Sequence, residues 1–184
     1  MKNLTTLTLA ACAALTLTAC GGDEEPPTTE GGALVKQLGQ WAGANCAGDA
    51  IEDCKVQFKV DSIDTATGCA GFGYASHHDD PADDTADYVR IGTTIKMTGE
   101  ADEIDQNFGT NSQWMMVGAD GVSRPLDEEY LCIGDDIDPN DSWAQATAPG
   151  MTIERTTLYK MPEETGSIQL MDQIGGTHWQ WEMP

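Results

Sequence analysis

The chain has 184 residues, 40% of them hydrophobic and 22% charged, which is the composition of a globular protein. Nine Lys and Arg residues stand against 31 Asp and Glu residues, giving a net charge of −22. So acidic a surface repels nucleic-acid phosphates and anionic lipid headgroups, and it excludes nucleic acid as a partner. Three explanations of the excess of acidic residues remain open. We favour a solvated surface that keeps an exported protein soluble. The alternatives are adaptation to high salt and divalent-cation binding.

The first 19 residues have the three parts of a secretory signal peptide. Lys2 supplies the positive charge, residues 4–17 the uncharged apolar run, and residues 18–19 the small side chains before cleavage. The run is too short and too rich in Thr and Ala for a membrane-spanning helix. Residues 17–20, LTAC, resemble the lipobox of bacterial lipoproteins, which implies that Cys20 becomes the acylated N-terminus.

We therefore expect residues 1–19 to be removed and the mature protein to be held at the extracytoplasmic face of the cell membrane by lipid on Cys20. Two or three acyl chains, including palmitate, give stable anchoring, whereas one chain holds only marginally. Residues 20–33 contain Gly, Pro, Thr and acidic residues without a large apolar side chain. This composition predicts a flexible tether between the lipid and the domain.

Four further cysteines follow the tether: Cys46, Cys54, Cys69 and Cys132. An even number in an extracytoplasmic chain predicts two disulfides, for which three pairings are possible. We favour a local bond between Cys46 and Cys54 and a long-range bond between Cys69 and Cys132. A metal site is the alternative, but the chain has no Cys-x-x-Cys pair to support it.

The stretch 33–47 carries apolar residues at a spacing compatible with one short amphipathic helix, although its glycines make an irregular segment equally compatible. From residue 55 onward the period changes to two. In KVQFKVDSI, residues 55–63, Val56, Phe58 and Val60 alternate with polar residues, as in a half-buried antiparallel strand. DYVRIGTTIKMTG, residues 87–99, repeats this pattern.

Shorter candidate strands, separated by Gly and Pro turn signals, follow at 113–118, 129–133, 151–161, 167–171 and 177–182. About seven strands and no long helical pattern predict a single all-β sandwich domain over 34–184. In the last strand, Trp179 and Trp181 share one face. We expect both indoles to close the core, and a ligand platform is the alternative.

The order of several segments carries a family resemblance. DYVRIGTTIKMTG is followed by WMMVGADGVSRPL, YLC, APGMTIERTTLYKMPEETGSIQL and the terminal HWQWEMP. Over about residues 53–184 this order resembles the telokin-like, immunoglobulin-like domain of small exported actinobacterial lipoproteins. The resemblance implies an immunoglobulin-like antiparallel β-sandwich that serves as a binding or interaction module. It brings no catalytic residues.

Two acidic segments are candidates for cation binding. HHDDPADDTAD, residues 77–87, places two histidines beside five aspartates, so His77, His78, Asp79 and Asp80 are candidate ligands for a transition metal. Adjacent side chains diverge on most backbones, however, and a hydrated loop is the simpler interpretation.

Asp136, Asp138 and Asn140 occupy alternate positions, as at the start of a calcium loop. The Gly and Glu required at the sixth and twelfth positions are replaced by Asp141 and Thr147. The calcium loop is therefore incomplete, and a plain acidic turn is favoured.

No catalytic motif accompanies these segments. The chain lacks a Gly-x-Ser-x-Gly elbow, a His-Glu-x-x-His helix and a P-loop. We therefore expect a lipid-anchored module that binds an unidentified protein or small ligand without catalysis and without a resident cofactor. A divalent-cation-binding lipoprotein is the alternative, and a small cell-envelope hydrolase is a weaker one.

Overall fold

The computed structural model of the protein describes residues 27–29, 31–137, 142–162 and 166–183. Within them the chain forms twelve β-strands, a four-residue α-helix and two short 3₁₀ helices. The strands are β1 Leu34–Val35, β2 Ala42–Cys46, β3 Cys54–Thr67, β4 Ala75–Ser76, β5 Asp87–Met97, β6 Ser112–Gly118, β7 Ser123–Pro125, β8 Asp127–Glu128, β9 Cys132–Ile133, β10 Thr152–Lys160, β11 Gly166–Asp172 and β12 His178–Glu182. The helix α1 spans Glu103–Gln106, and the 3₁₀ helices span Ile51–Asp53 and Cys69–Phe72.

Two five-stranded sheets pack face to face, in the orders β1-β12-β11-β6-β7 and β2-β3-β5-β10-β8. All strand pairs in them are antiparallel except β1 with β12, which are parallel. The order β3-β5-β10-β8 corresponds to strands A-B-E-D of an immunoglobulin domain, and β12-β11-β6-β7 to G-F-C-C′. The expected immunoglobulin-like sandwich is confirmed, and its seven strands of five or more residues match the expected number.

The core lies between the two sheets because the strands alternate as their sequences predict. Val56, Phe58 and Val60 on β3 are buried, whereas Lys55 and Lys59 on the other face are only partly covered. Gln57, also on that face, is 7% exposed. Trp179 and Trp181 on β12 are each 1% exposed, so the prediction that they close the core is confirmed. Phe58 meets Trp179 edge to face at a centroid distance of 4.8 Å, a favourable geometry for aromatic pairs.

A second, smaller apolar cluster lies on the outward face of the β3-β5-β10 sheet. Tyr88 on β5 and Leu158 on β10 point outward, yet they are covered together with Cys69 and Cys132. The Cys69–Cys132 disulfide ties the segment after β3 to β9, and these two segments form the cover. The other disulfide joins Cys46 of β2 to Cys54 of β3, so both expected pairings are confirmed.

The short helix compatible with 33–47 is not formed. This stretch instead contains β1 and β2, because the backbone of β2 pairs with β3 over Ala42 to Cys46 and buries two alanines against the core. Gly39, at φ 76°, reverses the chain between the two strands. At 129–133, only Cys132–Ile133 is a strand.

The described part of the expected tether, residues 27–29 and 31–33, lies next to β1. The amide of Val35 donates to the carbonyl of Pro27 at 2.9 Å, and Thr28 bridges Leu34, so residues 27–29 lie alongside β1. Ala33 is 1% exposed. Residues 1–26, including the leader and Cys20, lie outside the described residues. No helix in the described ranges has the length and apolar character needed to cross a membrane.

Candidate ligand-binding cleft

A cleft of about 290 Å³ opens between β6 of one sheet and the β8–β10 edge of the other. Its walls are aromatic: Trp114 from β6, Tyr159 from β10, and Trp143 from the loop that precedes β10. The ring centroids of Trp114 and Trp143 lie 5.2 Å apart, edge to face. The cleft is close to the lower size limit of small-molecule sites.

Trp143 reaches this place because four polar contacts hold its loop against the sandwich. Its indole Nε1 donates to Oγ of Ser112 at 3.2 Å, and its backbone amide donates to Oε1 of Glu128 at 3.2 Å. Its carbonyl accepts a hydrogen bond from Nη1 of the buried Arg155 at 3.1 Å. The side chain of Glu128 also accepts from Oγ of Ser142 at 3.1 Å. Trp143 is therefore a fixed wall of the cleft, only 4% exposed.

Two of the lining residues each have a buried polar atom that makes no hydrogen bond within the described part of the chain. Neither Nε1 of Trp114 nor the hydroxyl of Tyr159 has a hydrogen-bond partner among the described residues. A buried donor without a partner costs about 1–3 kcal/mol, so native proteins rarely leave two of them at one place. Burial, together with the negative charge of Glu128, raises the pKa of Tyr159 well above its ordinary value, and the nearby hydroxyl of Thr157, whose approach does not meet the geometry of a hydrogen bond, opposes the rise only in part. The phenol therefore stays protonated and able to donate at neutral pH.

The remaining lining is polar and uncharged at the mouth. Gln113 and Gln173 lie there, and Nε2 of Gln173 donates to Oε1 of Gln113 at 3.4 Å. Among the described lining residues there is one carboxylate, that of Glu128, and no His, Cys or Lys. Such a set can donate and accept hydrogen bonds and stack against a ring, but it offers no paired nucleophile and base.

The histidine–aspartate loop lies elsewhere, on the far side of β4. The amide of His77 donates to the carbonyl of Leu131 at 2.7 Å, which continues the pairing of β4 with β9. The side chain of His78 is 98% exposed and lies 3.1 Å from Asp79 through Nδ1. Asp80 is exposed as well.

The acidic turn is only partly described. Oδ2 of Asp136 lies 3.2 Å from Nη1 of Arg90, so this carboxylate is committed to an ion pair. Asp138 and Asn140 lie outside the described residues. In the ranges that the structure covers, no three His, Cys, Asp or Glu side chains are grouped as metal ligands would be. The structure therefore does not bring the predicted ligands together there.

The cleft residues were not identified from the sequence. One signal was present: Arg155, Thr157 and Tyr159 occupy alternate positions of β10, and all three are buried. Polar residues on the inward side of a strand are unusual, because burying a polar group is costly unless it is paired. Trp143, by contrast, comes from an irregular loop, and no periodicity indicates its position.

No protein-family model matches the chain, and no curated protein matches it significantly. Among solved structures, the chain is similar to MPT63, a secreted protein from Mycobacterium tuberculosis, with 14% identity, a TM-score of 0.49, and coverage of 82% of this chain and 98% of that one. An uncharacterised β-sandwich protein from Clostridium difficile 630 is 14% identical, with a TM-score of 0.48 and coverage of 87% and 100%. The yjhA protein from Bacillus subtilis is 10% identical, with a TM-score of 0.42 and coverage of 80% and 98%. The assignment to the β-sandwich class rests on the two sheets and the core between them.

Proposed function

We propose that the mature protein is an extracytoplasmic, lipid-anchored binding protein that holds a small uncharged polar ligand in the Trp114–Trp143–Tyr159 cleft. The observation that carries the proposal is the pair of buried donors, Nε1 of Trp114 and the hydroxyl of Tyr159, without partners among the described residues. Both donors are closed off from water in the ligand-free protein, so a ligand must open the cleft slightly to reach them. Two suitably placed acceptors would then satisfy both donors and recover their desolvation cost.

The chemistry of the cleft narrows the ligand class. A chain with a net charge of −22 disfavours anions, and Glu128 next to the donors disfavours them further. Aromatic walls suit the apolar face of a ring, while the amides of Gln113 and Gln173 at the mouth suit hydroxyl groups. A cleft of about 290 Å³ accommodates a ligand of roughly monosaccharide size. We propose a neutral, hydroxyl-bearing ring compound.

The placement outside the cytoplasm is supported by the sequence and by the disulfides. The leader and the LTAC tetrapeptide at 17–20 support acylation of Cys20. Two disulfides are typical of proteins from oxidising compartments. Incorporation of labelled palmitate into the native protein, and its loss in Cys20→Ser, tests the anchor. Equal labelling of the variant would refute it.

Ligand binding is tested with the mature chain and a panel of neutral monosaccharides and polyols. A compound present at 100 times its Kd raises the free energy of unfolding by about 2.7 kcal/mol, which is seen as a higher melting temperature. Tyr159→Phe removes one donor and keeps the ring, whereas Trp114→Phe removes the indole donor and replaces the indole by a smaller phenyl ring. We expect either change to weaken binding of the active compound by about tenfold, the loss typical of one hydrogen bond.

Tyr88→Phe is the matched control. It also removes the hydroxyl of a buried tyrosine and keeps the ring, but Tyr88 belongs to the outer cluster and does not line the cleft. Its replacement should leave affinity unchanged. The proposal fails if no panel member raises the melting temperature, or if the Trp114 and Tyr159 variants bind as tightly as the native protein.

A further inference from the structure

A hollow of about 460 Å³ lies on the opposite, outward face of the β12-β11-β6 sheet. Thr29 and Gly31, which precede β1, border it on one side, and Gly121 in the turn between β6 and β7 borders it on another. Three potential ligands of soft metals line this hollow, which are Met115 on β6, Met171 on β11 and His178 on β12. All three are half-buried.

Strand register brings Met171 and His178 directly opposite each other. In the neighbouring pair, the amide of Asp172 donates to the carbonyl of Thr177 at 2.9 Å. Hydrogen-bonded and non-hydrogen-bonded pairs alternate along antiparallel strands, so Met171 and His178 form a non-hydrogen-bonded pair, the kind with the closest side chains. Their Cβ atoms are therefore about 4.5–5.5 Å apart.

Met115 completes the group from the third strand. Met171 pairs with Gln113, and Met115 lies two residues farther along β6 on the same face. This diagonal relation corresponds to about 7–8 Å, which flexible methionine side chains can bridge. The remaining outward positions around them carry Gln169 and Gln180, whose amides hydrogen-bond to each other at 2.7 Å. Val117 also lines the hollow, but the two thioethers and the imidazole are the groups there that can bind a soft metal.

The two thioether sulfurs and the imidazole nitrogen indicate which metal ion the hollow would bind. Thioether sulfur favours Cu(I), and imidazole also suits copper, whereas Ca²⁺ and Mg²⁺ require oxygen ligands. The four cysteines of the described residues are all in disulfides, so no thiol there competes for a soft metal. The strongly negative chain attracts cations in general.

We infer that Met115, Met171 and His178 bind one Cu(I) ion. The site is independent of the ligand proposed above, because Met115 and Trp114 are neighbours on β6 and point to opposite faces of the sheet. Either proposal can therefore fail without the other.

The affinity is measured on the mature chain by anaerobic competition for Cu(I) with a chromophoric chelator. We expect one Cu(I) per chain, and a loss of affinity of more than about tenfold in Met171→Leu and in His178→Gln. Met151→Leu and His77→Gln are the controls, since Met151 is 50% exposed and neither residue lines the hollow. Both controls should bind as the native protein does.

A second measurement does not depend on variants that must fold. Ag(I), a redox-inert substitute for Cu(I), is added to the native protein labelled at the methionine methyl groups. The methyl resonances of Met115 and Met171 should shift, while that of Met151 should not. The inference is overturned if Cu(I) is not withdrawn from the chelator, if the Met171 and His178 variants keep full affinity, or if Ag(I) shifts only other methionines.

Discussion

Gly109 lies directly against the backbone carbonyl of Trp143, so closely that a Cβ atom on residue 109 would overlap the carbonyl oxygen. The obstacle is backbone and cannot rotate away. We therefore expect Gly109→Ala to push the Trp143 loop outward and to lower the free energy of unfolding by about 1–3 kcal/mol, as overpacking does. Urea denaturation measures the loss, and a red shift of tryptophan emission would report the displaced indole.

Gly99→Ala is the matched control for this change. Gly99 has no atom within 4 Å of the position that its Cβ would take. Its replacement should leave stability and tryptophan emission nearly unchanged. Equal effects of the two alanines would show that the contact between Gly109 and Trp143 does not constrain the loop.

The two disulfides should differ in their contribution to stability. In the chain-entropy model a crosslink stabilises in proportion to the logarithm of the loop that it closes. The Cys69–Cys132 bond spans 63 residues and the Cys46–Cys54 bond spans 8. Replacing both cysteines by alanine should therefore cost about 4 kcal/mol for the long loop and about 2.5 kcal/mol for the short one. Urea denaturation of both double variants tests the order, and a larger loss for the short loop would contradict it.

Asp83 makes stability depend on pH. Hydrogen bonds from Thr85 and the ion pair with Lys160, 3.0 Å away, lower the pKa of Asp83 from 3.8 to about 2. Because the pKa of the folded protein is the lower one, the stabilisation is complete above the ordinary pKa and is lost as the pH falls through about 2. We expect the native protein to melt above Asp83→Asn at pH 6, with the difference shrinking toward pH 2.

Lys160→Gln removes the same ion pair from its other side and should follow the same pH profile. The double variant should lose little more than Asp83→Asn alone, since that change already removes the ion pair, and more than Lys160→Gln alone, which keeps the hydrogen bonds from Thr85 to the Asp83 carboxylate. A difference in melting temperature that is constant from pH 6 to pH 2 would show that the charge of Asp83 is not its cause.

Salt should stabilise the protein by screening its own charge. The net charge of −22 makes the folded state repel itself, and the Debye length falls from about 30 Å at 0.01 M salt to about 10 Å at 0.1 M. We expect the melting temperature to rise over this range of NaCl. CaCl₂ at equal ionic strength should produce the same rise, and a larger one would contradict the solvated-surface interpretation and favour cation sites.

Short-range patterns predicted most of the fold. The alternation around Phe58 and the shared face of Trp179 and Trp181 follow from the period of a strand, and the structure buries all three. The predicted disulfide pairing also agrees with the two bonds in the structure. For the stretch 33–47 the sequence is compatible with a helix or an irregular segment, because Leu34, Leu38 and Trp41 mimic a helical spacing beside two glycines. Pairing with β3 and β12 makes it two strands instead.

Both proposed sites depend on distances that sequence patterns do not contain. Trp143 and Trp114 come together only when the loop before β10 folds back over β6. Met171 and His178 become neighbours through the pairing register of β11 and β12. A change of one residue in the turn would shift this register and move the side chains of one strand to the other face of the sheet. Residue types were visible in the sequence, but their juxtaposition required the folded sheet.

The parallel pairing of β1 with β12 also has a mechanical consequence. Leu34 and Val35 are in register with Trp179 and Gln180, and the amide of Lys36 adds a bond of 2.8 Å to the carbonyl of Gln180. A pull between the two ends of the domain runs along both strands, so it shears these bonds simultaneously instead of peeling them apart one by one. The junction between the first and the last strand of the described domain is thus arranged to resist a stretching force along the chain.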